Sequence, residues 1–271
     1  MNLRAVAAAL ALAVALAAPS ARATNVSTDV TDIWWPDAEP GWGIQLIQNA
    51  GIIFATMFVY DTQNQPVFVI AALDKQPGAD VWTGGLYVAE GTWFGAPWND
   101  ADRSETQLGN MTFTLTGVGT GTLVYNVGEI AVTKAISRQP LALEDNAGNY
   151  RITHTWTSTG AGCTPADVYN AGAGPQNGDM AIQRINLETA LVSLTWQFTP
   201  VDVCSMTASY AQAGRIGTYS GNLACPSSGK SGTLVLYEVA NGIRTLTGRY
   251  FMDWSYGCTR NGRFTAIMPN P

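Results

Sequence analysis

Charged side chains and histidine are scarce in this sequence. Only 13% of the 271 residues are Asp, Glu, Lys or Arg, and there is a single histidine. The formal net charge is −6, and the few basic residues do not cluster. Electrostatic binding to nucleic acid or to an anionic membrane requires a basic cluster, so we expect neither as a partner. The sequence also lacks long Glu- and Lys-rich helical faces, which argues against a helical fold.

Familiar catalytic and metal-binding patterns are also missing. Serine catalysis needs a histidine base, but His154 lies between Ile152 and Trp156 on an apolar strand face, which favours a core position. There is no G-x-S-x-G motif, and no C-x-x-C pair indicates zinc. Asp37 and Glu39 are too close in sequence to be the carboxylate pair of a glycosidase. We expect no enzyme activity, cofactor or metal, although a hydrolase with dispersed carboxylates stays open.

The first 23 residues have the pattern of a secretory signal peptide. Arg4 precedes an apolar run, and Ala21-Arg22-Ala23 matches the small-x-small pattern of a cleavage site. We therefore expect an exported protein, either periplasmic or extracellular. No cysteine follows the expected cut, and no later run reaches the roughly 18 apolar residues that suggest a membrane span. A stable membrane anchor is not expected.

Four cysteines agree with export. An even number of cysteines in an exported chain predicts disulfides rather than free thiols. We favour pairing Cys163 with Cys204 and Cys225 with Cys258, because neighbouring strands of a meander lie side by side. Four cysteines allow three connectivities, and the other two stay open.

Apolar and polar residues alternate in several segments, which is the period-two pattern of β-strands. Segments 111–116, 149–157 and 192–198 alternate cleanly, which predicts one buried and one solvated face. Segments 52–60 and 66–73 are apolar on both faces, so either both faces are covered or one face lines a closed interior. Turn-forming residues separate the runs. These patterns predict an all-β fold, an antiparallel meander barrel or barrels.

Two β domains are expected. Residues 140–148 break the alternation, and all four cysteines follow them. We assign a Trp-rich, β-barrel-like domain to residues 24–142 and a Cys-containing, disulfide-stapled β domain to residues 143–271. One continuous barrel stays open as the alternative.

Tryptophan and proline are concentrated in residues 32–46, DIWWPDAEPGWGIQL. Trp34 and Trp35 face opposite sides of a strand, so one can enter the core while the other lines a pocket. Aromatic rings at loop edges can stack on sugars. We predict a site for a carbohydrate or a small apolar ligand, with the candidate residues Trp34, Trp35, Glu39, Trp42, Trp82, Trp93 and Trp98. A cell-surface protein-interaction module without a small ligand stays open.

The same region resembles the W-W-x-P-x-x-x-G-W-G signature of a family of exported bacterial β proteins. Phe54, Phe58, Tyr60, Asp61 and Pro66 match the continuation of that signature, whereas Asn64 and Phe68 depart from it. The C-terminal part resembles the Cys-containing β module of the same family. The resemblance implies an exported β protein and no particular activity. A more distant likeness, of architecture only, is to avidin- and lipocalin-type barrels, which place a tryptophan on the first strand and bind a small ligand inside.

Overall fold

The structure is a computed structural model that describes residues 27–165, 167, 174–196 and 202–269. Within these residues the chain forms sixteen strands arranged as two closed antiparallel barrels. The all-β prediction is confirmed, and the chain forms two barrels rather than one. The predicted signal peptide, residues 1–23, lies outside the described residues.

The first barrel is an up-and-down meander in which the first strand closes on the eighth. Trp34 of β1 pairs with Ile44 of β2 on one side and with Arg138 of β8 on the other. A short 3₁₀ turn, Asp100–Asp102, interrupts the connection between β5 and β6. The strands are β1 (Asp32–Trp35), β2 (Gly43–Asn49), β3 (Ile52–Tyr60), β4 (Pro66–Lys75), β5 (Val81–Glu90), β6 (Ser104–Leu115), β7 (Thr120–Val127) and β8 (Ile130–Arg138).

The second barrel repeats this topology, and β9 pairs with both β10 and β16. Residues 139–147 join the two barrels, and the expected domain boundary at 142–143 falls within this connection. The strands are β9 (Gly148–Thr159), β10 (Gln176–Arg184), β11 (Thr189–Trp196), β12 (Asp202–Ala213), β13 (Ile216–Cys225), β14 (Lys230–Gly242), β15 (Thr245–Trp254) and β16 (Cys258–Ile267).

Alternation along the strands separates each filled interior from the outer surface. In β6 the side chains of Met111, Phe113 and Leu115 are buried, as the sequence pattern predicts. Trp34 and Trp82 both contact Phe113, with ring centroids 5.3 and 5.9 Å apart. Aromatic side chains thus fill the middle of the first barrel.

Strand β3 resolves the ambiguity of the segments that are apolar on both faces. Its odd-numbered residues, such as Ile53 and Met57, are buried in the interior. Its even-numbered residues Phe54 and Phe58 lie on the outer face and are 46% and 56% exposed. One face therefore lines a closed interior, and the other carries aromatic rings on the molecular surface.

Two disulfides are present, but their connectivity differs from the favoured one. Cys163 is bonded to Cys258, and Cys204 is bonded to Cys225. The premise that neighbouring strands share disulfides holds, because Cys204 and Cys225 lie on adjacent β12 and β13. Cys258 begins β16, which pairs with β9 where the barrel closes. The favoured pairing was wrong because β14 and β15 separate Cys225 from Cys258.

The barrels meet at the end of the first barrel where β8 finishes. The buried Arg138 donates to Asp32 Oδ2 at 3.0 Å, and the backbone N–H of Arg215, from the second barrel, donates to the same oxygen at 3.1 Å. Gly119 lies so close to Ala213 that a methyl group on Gly119 would be 2.4 Å from the Ala213 Cβ. This junction leaves the opposite end of the first barrel, where the 36–42, 61–65 and 91–103 loops emerge, to be considered as a site.

Candidate functional site

Trp34 belongs to the core of the first barrel. Its side chain is fully buried, and its indole Nε1 donates to the carbonyl of Val30 at 2.9 Å. The Arg138 guanidinium lies 4.8 Å from the ring centroid. Trp82 is likewise buried, at 1% exposure. In this structure neither of these two candidate residues presents its ring to a ligand outside the barrel.

The other tryptophans of the 32–46 stretch are half-buried. Trp35 points away from the interior, opposite Trp34, and Trp42 packs against the edge of the core. The Trp42 Nε1 donates to Glu39 Oε2 at 3.0 Å, and Lys134 Nζ donates to Glu39 Oε1 at 2.6 Å. The hydrogen bonds from Lys134 and then from Trp42 hold the pKa of Glu39 below its usual value. Glu39 therefore fastens the 36–42 loop to β8.

Side chains close the end of the first barrel that lies opposite the junction with the second barrel. Trp42, Val59, Val88, Leu108 and Tyr125 pack against the buried cluster from this end. Burial raises the pKa of the Tyr125 hydroxyl above its usual value. Together with Trp34, Trp82 and Phe113, these side chains occupy the space that a ligand inside the barrel would need.

The 91–103 loop presents aromatic rings on a locally braced backbone. Trp93, Phe94 and Trp98 are 69%, 97% and 65% exposed. The Trp93 ring lies over Gly95, where an added methyl group would be 2.4 Å from it, and the Trp98 ring lies 3.6 Å from the corresponding position at Gly91. The Trp93 indole thus packs on the Gly95 backbone, whereas Trp98 lies beside Gly91 with room for a methyl group between them. Both rings leave much of their surface to solvent.

Hydrogen bonds within the loop hold this arrangement. Thr92 Oγ1 donates to Asp102 Oδ2 at 2.9 Å and accepts from the backbone N–H of Asn99 at 2.9 Å. Asn99 Nδ2 donates to Asp102 Oδ1 at 2.9 Å, and Asn99 Oδ1 accepts from the N–H of Ala101. The loop therefore closes on itself between residues 92 and 102.

A second group of exposed rings lies where β3 ends and β4 begins. Phe58 pairs directly with Phe68, and Tyr60 pairs with Pro66. Phe58, Tyr60 and Phe68 are 56%, 58% and 47% exposed, and they border a cleft of about 200 Å³ that also includes Gly41. Tyr60 Oη donates to the Gly41 carbonyl at 3.0 Å, which ties the cleft to the tryptophan loop.

We call these two groups together the aromatic rim, which consists of Phe58, Tyr60, Phe68, Trp93, Phe94 and Trp98. Both lie at the end of the first barrel where β3 and β5 finish, opposite the junction with the second barrel. Of its members, sequence reasoning nominated Trp93 and Trp98 and missed the others as site residues. The signal for Phe58 and Phe68 was present in the apolar outer faces of segments 52–60 and 66–73.

The candidate catalytic groups are engaged in structural contacts. His154 is buried, and its Nδ1 is 3.0 Å from the Tyr250 hydroxyl; its ring stacks on Trp156 at 4.8 Å. Burial, together with the nearby Arg260 charge, lowers the pKa of His154 to about 4. Asp37 Oδ1 accepts a hydrogen bond from Ser137 at 2.5 Å. A histidine that is buried and neutral at pH 7 is a core residue here, as its strand position predicts.

In the part of the chain that the structure describes, no group of three or more His, Cys, Asp or Glu side chains could hold a metal ion. No helix within the same residues is long and apolar enough to cross a bilayer.

Comparison of the chain with protein-family models, with curated proteins and with solved structures gave no match in any of the three. The resemblance to the exported bacterial family therefore stays a prediction.

Proposed function

We propose that this chain is an exported carbohydrate-binding protein and that the aromatic rim is its binding surface. The observation that carries the proposal is the exposure of Trp93 and Trp98 on the braced 91–103 loop, with the Trp93 ring packed on the Gly95 backbone. Sugar rings present C–H groups that pack against aromatic faces, and a ring already held in place loses little conformational entropy on binding. Rings that are 69% and 65% exposed are accessible to such a partner.

Carbohydrate is favoured over the other ligand classes. A small apolar ligand would need an enclosed apolar cavity, but the middle of the first barrel is filled by Trp34, Trp82 and Phe113. Nucleic acid also offers stacking bases, but its phosphates would meet a chain of net charge −6. A neutral glycan requires neither a cavity nor a basic surface.

A protein partner is the second candidate, and one observation favours it. On the outer face of β2 and β3, Ile47 lies directly opposite Phe54, and both are nearly half exposed. They extend the apolar surface away from the rim along the barrel wall. A continuous exposed apolar patch is typical of protein interfaces.

The experiment is a binding titration of the purified protein with a panel of neutral polysaccharides and oligosaccharides, followed by calorimetry on any that bind. Trp93→Ala and Trp98→Ala should each weaken binding about 2- to 12-fold, because an aromatic stacking contact contributes about 0.5–1.5 kcal/mol. Ile243→Ala is the matched control, since Ile243 is 94% exposed and lies on the second barrel.

Both rim variants should retain the melting temperature of the parent protein, because neither ring is buried. Absence of binding to every glycan tested, or equal binding by parent and rim variants, would refute the proposal. Loss of binding to a protein partner in Phe54→Ser, with glycans inactive, would support the second candidate instead.

A further inference from the structure

A charged groove lies between the start of the described chain and the outer wall of the second barrel. Ser27, Thr28 and Asp29 form one side, and strands β14, β15 and β16 form the other. The groove has a volume of about 300 Å³. It contains Arg215, Arg249 and Arg263, an unusual gathering of arginines in a chain of net charge −6.

The strand register places two of these arginines directly opposite each other. Arg249 on β15 pairs with Arg263 on β16, and two residues further along Thr247 pairs with Thr265. Their buried neighbours Leu246, Tyr250, Phe264 and Ala266 face the barrel interior, so these four side chains share the outer face. Like charges directly opposite across two strands destabilise a sheet unless something neutralises them.

Each of the two carboxylates that line the groove is paired with one of its arginines. Asp29 Oδ2 is 2.5 Å from Arg215 Nη2, and Glu238 Oε2 is 3.5 Å from Arg249 Nη1. Arg249 also lies over the Tyr237 ring, 4.8 Å from its centroid. Within the described residues no acidic side chain lies within 4.0 Å of Arg263. Three arginines therefore face two carboxylates, and the surplus positive charge is at Arg263.

Glu238, in the far wall of the groove, adopts a backbone conformation that has an energetic cost. It lies at the irregularity between Tyr237 and Ala240, with a φ of 54°, which non-glycine residues rarely adopt. In this conformation its carboxylate accepts hydrogen bonds from the backbone N–H and the hydroxyl of Thr28. These contacts hold the 27–29 segment against the second barrel beside the groove.

We propose that this groove binds an oxyanion, a carboxylate, sulfate or phosphate group, between Arg249 and Arg263. Each guanidinium presents a planar set of N–H donors that matches such oxygens, and the Thr247 and Thr265 hydroxyls supply two more donors beside them. The anion neutralises the surplus charge and removes the repulsion between the paired arginines. The site lies on the second barrel and is independent of the aromatic rim.

The test is calorimetric titration of the purified protein with sodium phosphate, sodium sulfate and sodium glucuronate, each at constant ionic strength maintained with sodium chloride. The three probes separate tetrahedral anions from a sugar carboxylate. Arg263→Gln should weaken binding at least tenfold. Arg151→Gln is the matched control, because Arg151 lies on the neighbouring strand β9 and is already paired with Asp179 at 2.6 Å.

Saturable binding that Arg263→Gln weakens and Arg151→Gln preserves would support the site. In addition, the anion-free melting temperature of Arg263→Gln should equal or exceed that of the parent protein, because a like-charge pair has been removed. Three results would overturn the proposal: no saturable binding by any of the three anions, equal weakening by both variants, or a lower anion-free melting temperature in Arg263→Gln.

Discussion

The indole Nε1 of Trp42 donates a 3.0 Å hydrogen bond to Glu39, and the other oxygen of that carboxylate accepts a 2.6 Å hydrogen bond from Lys134. The tryptophan-rich stretch is thereby fastened across the strands that it connects. Trp34 fills the barrel below it, while Tyr60 contacts the loop through the Gly41 carbonyl. The stretch thus supports the rim from beneath, and the proposed sugar contacts fall to the rings of β3, β4 and the 91–103 loop.

Replacement of Glu39 by Gln should make the melting temperature of the protein less dependent on pH. The pKa of Glu39 is below its usual value of 4.5 in the folded protein, chiefly because Lys134 and Trp42 donate to the carboxylate. A lowered folded pKa means that its stabilising contribution is complete above the unfolded pKa and is lost as the pH falls through the folded value. We expect Glu39→Gln to melt below the parent at pH 7 and to converge with it in acid.

Melting curves of both proteins from pH 7 to pH 3 check this expectation. Glu129→Gln serves as the control, because Glu129 is exposed in the turn between β7 and β8. The role of Glu39 as a fastening would be wrong if Glu39→Gln and Glu129→Gln gave superimposable curves.

Replacement of a buried tryptophan should destabilise the protein much more than replacement of an exposed one. Trp34→Ala removes a fully buried ring that packs on Phe113, so it should reduce the free energy of unfolding by about 3–5 kcal/mol. Trp93→Ala removes a ring that is 69% exposed and should change the same quantity by less than about 0.5 kcal/mol. Urea unfolding followed by circular dichroism measures both. A Trp93→Ala loss comparable to that of Trp34→Ala would make the 91–103 loop part of the structural core.

Local patterns in the sequence predicted much of the fold. The apolar run at 52–60 coincides with β3, and the turn that follows it contains Asn64 with a φ of 60°, a conformation that asparagine tolerates. The pattern could not tell which apolar face of β3 is inside, because both phases of the alternation are hydrophobic. The rings of Phe58 and Phe68 were therefore not recognised as surface features.

The same sequence patterns could not predict features that depend on contacts between residues far apart in the sequence. Pairing of β9 with β16 closes the second barrel and brings Cys163 to Cys258, 95 residues away. Similarly, the position of Trp98 beside Gly91 depends on the closure of the loop between Thr92 and Asp102. A sequence presents these residues as a run of turn-forming and aromatic types, without the geometry that positions them.

The two disulfides should contribute unequally to stability. Cys163–Cys258 spans 95 residues and Cys204–Cys225 spans 21, so the longer bridge restricts the unfolded chain more. By the chain-entropy relation, loops of about 100 and about 15 residues correspond to about 4.7 and about 3 kcal/mol. The double variant Cys163→Ser with Cys258→Ser should therefore unfold at a lower urea concentration than Cys204→Ser with Cys225→Ser. The reverse order would indicate that the Cys204–Cys225 bridge acts mainly through contacts in the folded barrel.

The last prediction concerns the buried His154, whose protonation should destabilise the second barrel. Burial and the Arg260 charge lower its pKa from 6.5 to about 4, so between these values the unfolded chain binds a proton that the folded chain does not. Stability should therefore fall progressively as the pH is lowered from about 6.5 towards 4, by an amount on the order of 3 kcal/mol.

His154→Gln can keep a hydrogen bond with the Tyr250 hydroxyl but has no proton to gain in this range. Urea unfolding of both proteins at several pH values isolates the contribution, because carboxylates that titrate in acid affect parent and variant alike. The variant should have the shallower pH dependence even if loss of the Trp156 stacking lowers its stability at pH 7. Two parallel dependences would mean that the folded barrel accepts the proton without cost, which is incompatible with the buried position beside Arg260.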